Sequence, residues 1–104
     1  MPSPTPAQAL AAVARFRNAA GQISHEKAEA AVKAIVGLYE VVSWDNFIGG
    51  YKGRTTVECK EMVSAVLHDE GLSYPQIARA CGRTNHSTFH SAAQRWKAKQ
   101  EKAK

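Results

Sequence analysis

A row of apolar residues at helical spacing near the middle of the chain constrains the fold more than any other feature. The row consists of Cys59, Met62, Val63, Val66 and Leu67. Their spacing of i, i+3, i+4, i+7 and i+8 places them all on one face of an α-helix, and such a face has to be buried against other elements. Thr55 and Glu58 fit a capping-box pattern at the start of this helix, and Gly71 follows its end.

Helical periodicity recurs along the rest of the sequence, whereas no segment alternates as a strand does. The sequence therefore predicts an all-α fold. In addition to the central helix, we expect helices over about residues 7–20, 25–40, 74–81 and from 86 through Trp96. The first of these has only a thin apolar stripe, formed by Leu10, Val13 and Phe16, and needs a surface to pack against.

Capping residues mark where several of these helices begin. The expected N-caps are Ser24, Ser43, Ser73 and Asn85 (or Thr84). Ser43 begins a short turn of helix that carries Trp44 and Phe47 to the core. Ser73 is completed to a capping box by Gln76, and Gly82 permits a sharp reversal before the last helix.

Positive charge is concentrated near the C-terminus. The 104 residues net +5, but from Gly71 onward seven basic residues stand against a single acidic one, Glu101. Such an asymmetry indicates a polyanionic partner, although the terminal lysines alone would form only a solvated tail. Arg79, Arg83 and Arg95 lie inside folded sequence, which favours a binding patch.

The composition is that of one globular domain, with 44% apolar and 22% charged residues. No apolar run approaches the roughly 18 residues of a membrane span, and no signal-peptide core follows the N-terminus. We therefore expect a cytoplasmic protein without membrane contact.

The sequence contains no recognisable catalytic or metal-binding pattern. A zinc site could be drawn from Cys59, Cys81, His86 and His90, but it lacks any closely spaced pair of cysteines, and both thiols are expected in the core. No nucleophile is paired with a base. We predict that the chain is not an enzyme and needs neither a metal nor another cofactor.

The segment GRTNHSTFHSAAQR, from Gly82 to Arg95, has an unusual helical face. Its apolar positions, together with the next residue, form one side of a helix: Phe89, Ala92, Ala93 and Trp96. The opposite side gathers Ser87, His90, Ser91 and Gln94, without a carboxylate. A capped surface helix would be better served by Glu, Lys and Ala, so this face is better explained as a binding surface.

A short helix, a glycine turn and a helix with an acid-free polar face together predict a helix-turn-helix. The second helix of this motif enters the major groove of DNA, where its N-terminal residues meet base edges and phosphates. Hydroxyl, amide and imidazole groups can bond base edges there, and the methyl group of Thr88 can touch a thymine methyl. Carboxylates would repel the phosphates.

The segment LSYPQIARACGRTNHSTFHSAAQRW resembles the signature of the C-terminal DNA-binding domain of DnaA, the bacterial chromosomal replication initiator. Upstream, VKAIVGLYEV and WDNFIGGYKGR resemble the first helix and the basic loop of the same domain. The resemblance divides the chain into a lead with an amphipathic helix (1–23), the DnaA-like domain (24–97) and a basic tail (98–104). It implies an all-helical fold whose helix-turn-helix is related to that of the Trp repressor.

The resemblance also implies a set of DNA-binding residues. His86, Ser87 and Thr88 match the family's base- and phosphate-contacting residues, and Pro75 matches its proline near the backbone. Together with the residues suggested by charge and by the polar face, the predicted set is Lys52, Arg54, Pro75, Arg79, Arg83, Thr84, Asn85, His86, Ser87, Thr88, His90, Ser91 and Arg95.

Three departures from the family pattern affect the expected DNA site. Asn85 stands where the family usually has Asp, which changes the preferred base partner from cytosine toward adenine. The basic loop is reduced to Lys52 and Arg54, with Lys60 further on, and Arg83-Thr84 replaces the usual order at the turn. Weaker binding to the family's site, or a different site, is therefore expected.

The leading hypothesis is a sequence-specific, nucleoid-associated protein that binds DnaA-box-like duplex sites as a monomer. Without the initiator's ATPase domain it would regulate replication initiation or transcription. The alternative is an interaction module that binds a replication-initiation regulatory protein, with DNA binding weakened or lost. In that case the helix over residues 7–20 would be the added interface; it could instead pair two copies or simply cover the core.

Overall fold

Six α-helices form the described part of the chain, and the all-α prediction is confirmed. The computed structural model describes residues 4–49, 53–83 and 86–102. The helices are α1 (Pro6–Val13), α2 (Ala28–Val36), α3 (Trp44–Ile48), α4 (Arg54–Asp69), α5 (Tyr74–Ala80) and α6 (Ser87–Lys102). Short 3-10 turns occupy Ala14–Phe16 and His25–Lys27. None of these helices combines the length and the hydropathy that crossing a bilayer requires.

Helix α4 lies at the centre of the molecule, as its apolar row predicts. Every residue of that row is at most 5% exposed. The helix packs most extensively along α6 and also contacts α1, α2, α3 and α5. The radius of gyration is 12.5 Å, close to the roughly 13 Å of a compact 100-residue domain. Burial of one face of α4 by several helices therefore organises the core.

Two of the predicted N-caps form as expected. The Ser43 hydroxyl accepts a hydrogen bond from the Asn46 amide (3.1 Å), and Ser73 and Gln76 form a reciprocal capping box with Pro75 in the first turn. The Thr55–Glu58 capping box is wrong, because the N-cap of α4 is Gly53, two residues earlier, and Arg54 is the first residue of the helix. Thr55 is thus already helical and cannot cap.

The first helix is shorter than its composition predicts. α1 ends at Val13, and the chain turns back so that Arg17 and Ile23 form an isolated bridge. The side chain of Asn18 stabilises the reversal that follows by accepting hydrogen bonds from the backbone N–H groups of Ala20 (2.9 Å) and Gln22 (3.1 Å). The predicted extension to residue 20 is therefore wrong.

The face that α1 buries is also displaced from the prediction. Ala9 and Val13 are fully buried against α2 and α4, whereas Leu10 is 38% exposed and Phe16 is half-buried. The Arg17 side chain pairs with the buried carboxylate of Glu70. The hydrogen bond with Glu70 raises the pKa of the Arg17 guanidinium. The N-terminal segment thus belongs to the same core as α4.

One buried carboxylate joins the two longest helices. Glu61 of α4 is 1% exposed, and its two oxygens bind Arg95 Nε (3.0 Å) and Lys99 Nζ (2.7 Å) of α6. Arg95 and Lys99 are one helical turn apart, so both reach the same carboxylate. Because a buried charge is costly without partners, this cluster fixes the rotation of α6 on α4.

Removing both cations should destabilise the fold more than removing the carboxylate. The double variant Arg95→Ala/Lys99→Ala leaves Glu61 buried without a partner, and we expect a loss of about 3–5 kcal/mol in the free energy of unfolding. Glu61→Gln should cost about 1–2 kcal/mol, because the half-exposed cations can return to water. Urea unfolding measures both, with Glu101→Gln on the surface of α6 as the control. Equal losses in the two variants would contradict this role.

Candidate nucleic-acid interface

Helix α5 ends in a tight turn at a glycine. Gly82 has φ +72°, a conformation that residues with a Cβ adopt reluctantly. Its N–H donates to Arg79 O (3.0 Å) and the Arg83 N–H donates to Ala78 O (2.8 Å), which is the Schellman pattern of a helix C-terminus. The sharp reversal predicted at Gly82 is confirmed.

The polar side of α6 is exposed over its first half. Ser87, Thr88, His90, Ser91 and Gln94 are all exposed, while Phe89, Ala92 and Ala93 are buried at 1% or less. His86, which precedes the helix, is exposed as well. The packing on α4 therefore turns the acid-free face outward. Thr84 and Asn85, which were also predicted to contact DNA, lie outside the described residues.

The arginines divide into engaged and available side chains. Arg17 and Arg95 are paired with carboxylates, and Arg15 lies over the Phe16 ring at 4.8 Å. The remaining arginines, Arg54, Arg79 and Arg83, are exposed and have no carboxylate partner among the described residues. All three belong to the predicted DNA-binding set. Arg95 also belongs to it, but its guanidinium Nε is occupied by Glu61.

The available arginines lie at three places in the fold, and Arg79 lines a cleft that also contains Glu26 and Glu29. Arg79 is on α5, Arg83 is in the turn, and Pro75 is exposed in the first turn of α5. Arg54 is the first residue of α4 and lies about 9 Å along that helix from Lys60. The Lys60 Nζ lies 6.0 Å from the centre of the Phe89 ring in the first turn of α6. Lys52 lies outside the described residues.

Chemically, the exposed face of α6 offers hydrogen-bond donors and acceptors of short reach. Its side chains are hydroxyls, an imidazole and a carboxamide, and no carboxylate lies among them from His86 to Gln94. The helix is about 24 Å long and its first turn contains no acidic residue. No carboxylate in this first turn therefore neutralises the positive end of the helix dipole.

The cysteines do not belong to this surface. Cys59 and Cys81 are free and buried, and burial raises the pKa of each thiol to about 12. Both stay protonated at neutral pH, whereas a zinc ligand has to be a thiolate. His86, which precedes α6, and His90 on its outer side are both exposed, whereas the two thiols are buried. Within the described ranges, no three His, Cys, Asp or Glu side chains are arranged to hold a metal ion.

Two side chains that bear on this surface are missing from the sequence prediction. Gln94 lies on the predicted polar face but not in the predicted binding set, although it is exposed between Ser91 and Arg95. The other is Glu61, whose burial none of the patterns above predicts. The signal that could have revealed it is the pair Arg95 and Lys99, one turn apart on the side of α6 next to its apolar stripe.

Comparison of the chain with protein-family models, curated proteins and solved structures finds no match. The likeness to the DnaA domain therefore rests on the residues quoted above.

The turn before α6 should tolerate only residues that accept a positive φ. A Cβ at Gly82 would meet no atom within 4 Å, so the cost of substitution is conformational and not steric. We expect Gly82→Val to lose about 1–2 kcal/mol of unfolding free energy, and Gly82→Asn clearly less, because Asn enters this region more readily. Urea unfolding compares the two. A Val variant as stable as the Asn variant would show that the turn does not constrain the chain.

Proposed function

We propose that this chain is a sequence-specific double-stranded DNA-binding protein of the DnaA-box-binding type. It would act at DnaA-box-like sites as a regulator of replication initiation or transcription, without ATPase activity. The observation that carries the proposal is the exposed face of α6, which contains no carboxylate from His86 to Gln94. Arg83, in the turn after α5, is exposed and has no carboxylate partner among the described residues. The sequence resemblance adds the expectation of a DnaA-like site.

In this proposal α6 lies in the major groove with Ser87 and Thr88 nearest its positive end. Ser87, His90 and Ser91 face base edges, and His86 approaches the bases or the phosphates beside them. Arg79 and Arg83 bind the phosphate backbone on the α5 side. Arg54 and Lys52 take the place of the family's basic loop at the neighbouring groove. Arg95 serves mainly to hold α6 on Glu61.

The proposal distinguishes arginines that contact DNA from arginines that do not. The salt dependence of the DNA affinity tests this distinction. A duplex selected from a random library should be retained in an electrophoretic shift, with an affinity that falls steeply with salt. Arg83→Ala should lower the slope of log affinity against log salt by about 0.9, the loss of one phosphate contact. His86→Ala should weaken binding to the selected duplex.

Arg15→Ala is the matched control, because Arg15 is exposed in the 3-10 turn that follows α1 and lies over the Phe16 ring. It should leave the salt slope unchanged. Equal slopes in the Arg83→Ala and Arg15→Ala proteins would contradict the assignment of the surface. Failure of the full chain to retain any duplex at low salt would refute the proposed function.

A second candidate is the recognition of a replication-regulatory protein, and one observation favours it. Helix α1 leaves Leu10 exposed beside a groove of about 310 Å³ that is lined by Val66 of α4 and the half-buried Trp96 of α6. Deleting the N-terminal segment would not test this surface, because the deletion would remove the buried Ala9 and Val13.

A point substitution tests the second candidate without disturbing the core. If the groove binds the regulatory protein, Leu10→Glu should reduce its capture by roughly tenfold or more, since a charge replaces an apolar anchor. Val41→Glu is the control, because Val41 is 76% exposed on a different part of the surface. Loss of capture in both variants, or in neither, would argue against the groove.

A further inference from the structure

A chain of three aromatic rings runs from α4 to the exposed face of α6. His68, near the end of α4, donates from Nδ1 to the Leu72 carbonyl (3.0 Å) and is fixed by that bond. Its ring stacks on Tyr74, the first residue of α5, with centroids 4.0 Å apart and an interplanar angle of 10°. Tyr74 meets the His90 ring at 5.0 Å in an edge arrangement of 72°. The stacked rings of His68 and Tyr74 therefore fix the position of the His90 ring.

His90 in turn contacts Gln94, one helical turn further along α6. The Gln94 Nε2 lies 3.4 Å from His90 Nε2. Because the amide nitrogen can only donate, the imidazole Nε2 accepts in this contact. One N–H of the carboxamide is thereby used, and its carbonyl oxygen and second N–H remain available at the surface.

Gln94 also stands where a recognition helix meets bases. Ser87, His90, Ser91 and Gln94 follow the spacing i, i+3, i+4 and i+7, the spacing with which a helix lying along the major groove presents four side chains to base edges. All four are exposed.

We propose that Gln94 reads an adenine in the major groove and that Tyr74 and His90 position its carboxamide for this contact. The inference rests on the proposed DNA-binding function and assigns one base contact within it. Adenine presents an acceptor, N7, beside a donor, the N6 amino group, and the free N–H and carbonyl oxygen of Gln94 match the two. Guanine presents two acceptors at the same place, so one of them would lie opposite the Gln94 carbonyl oxygen and repel it.

Selection from random duplexes by the full chain tests the base assignment. The unaltered protein should fix an adenine at one position that Gln94→Ala leaves variable, while the other selected positions stay the same in both. On the selected duplex, changing that adenine to guanine should weaken binding of the unaltered protein roughly tenfold and that of Gln94→Ala about twofold or less. Gln100→Ala, an exposed glutamine further along α6, is the matched control and should keep the full discrimination.

The positioning role of Tyr74 has a separate readout. Tyr74→Phe keeps the ring and should keep the tenfold preference for adenine. Tyr74→Leu removes the ring edge that supports His90 and should reduce the preference to about threefold, with affinity for unrelated duplexes unchanged. A merely structural role would instead lower the affinity for all duplexes alike and leave the ratio intact, which would overturn the positioning claim.

The failure of this inference differs from the failure of the proposed function. If Gln94→Ala selects the same sequence with the same tenfold penalty, Gln94 does not read the base and the DNA-binding function still holds. If the full chain retains no duplex and selects no sequence, the proposed function fails and takes the adenine contact with it.

Discussion

The contact of Glu61 with Arg95 and Lys99 determines which side of α6 reaches the surface. A carboxylate that is 1% exposed binds two cations on one side of α6, and rotating the helix would leave that charge unpaired inside the protein. A hydrophobic residue in place of Glu61 could supply as much stability, but it would not select one rotation. We therefore interpret the buried charge chiefly as a determinant of orientation.

This cluster also divides the positive charge of the chain into two classes. Arg95 and Lys99 stabilise the fold by pairing with Glu61. The Lys97 Nζ lies 3.8 Å from Asp69 Oδ1. Arg79 and Arg83 have no such partner among the described residues. The basic C-terminal third thus overstates the charge that is available to a polyanion.

Local sequence signals predicted the parts of the fold that local chemistry decides. The apolar row of α4 identified the centre of the core, because burial and helical spacing together leave few alternatives. The Ser43 and Ser73 caps and the reversal at Gly82 were predictable because each depends on neighbouring residues alone. The exposed side of α6 was predictable for the same reason, since its apolar and polar residues separate cleanly.

The errors and omissions concern interactions between distant segments. The end of α1 depends on a turn of the following chain that a helical pattern over alanines does not reveal. The burial of Ala9 in place of Leu10 depends on where α2 and α4 lie. Glu61 and the rings behind His90 involve residues separated by many positions, and only the tertiary structure brings them together.

Nuclear magnetic resonance of the full chain with a selected duplex tests the central claim most directly. Amide signals of the α6 residues Ser87, Thr88, His90, Ser91 and Gln94, and of Arg83 in the turn, should shift on titration, while those of α1 stay in place. Shifts confined to α1 and the neighbourhood of Trp96, or no shift at any amide, would contradict the account.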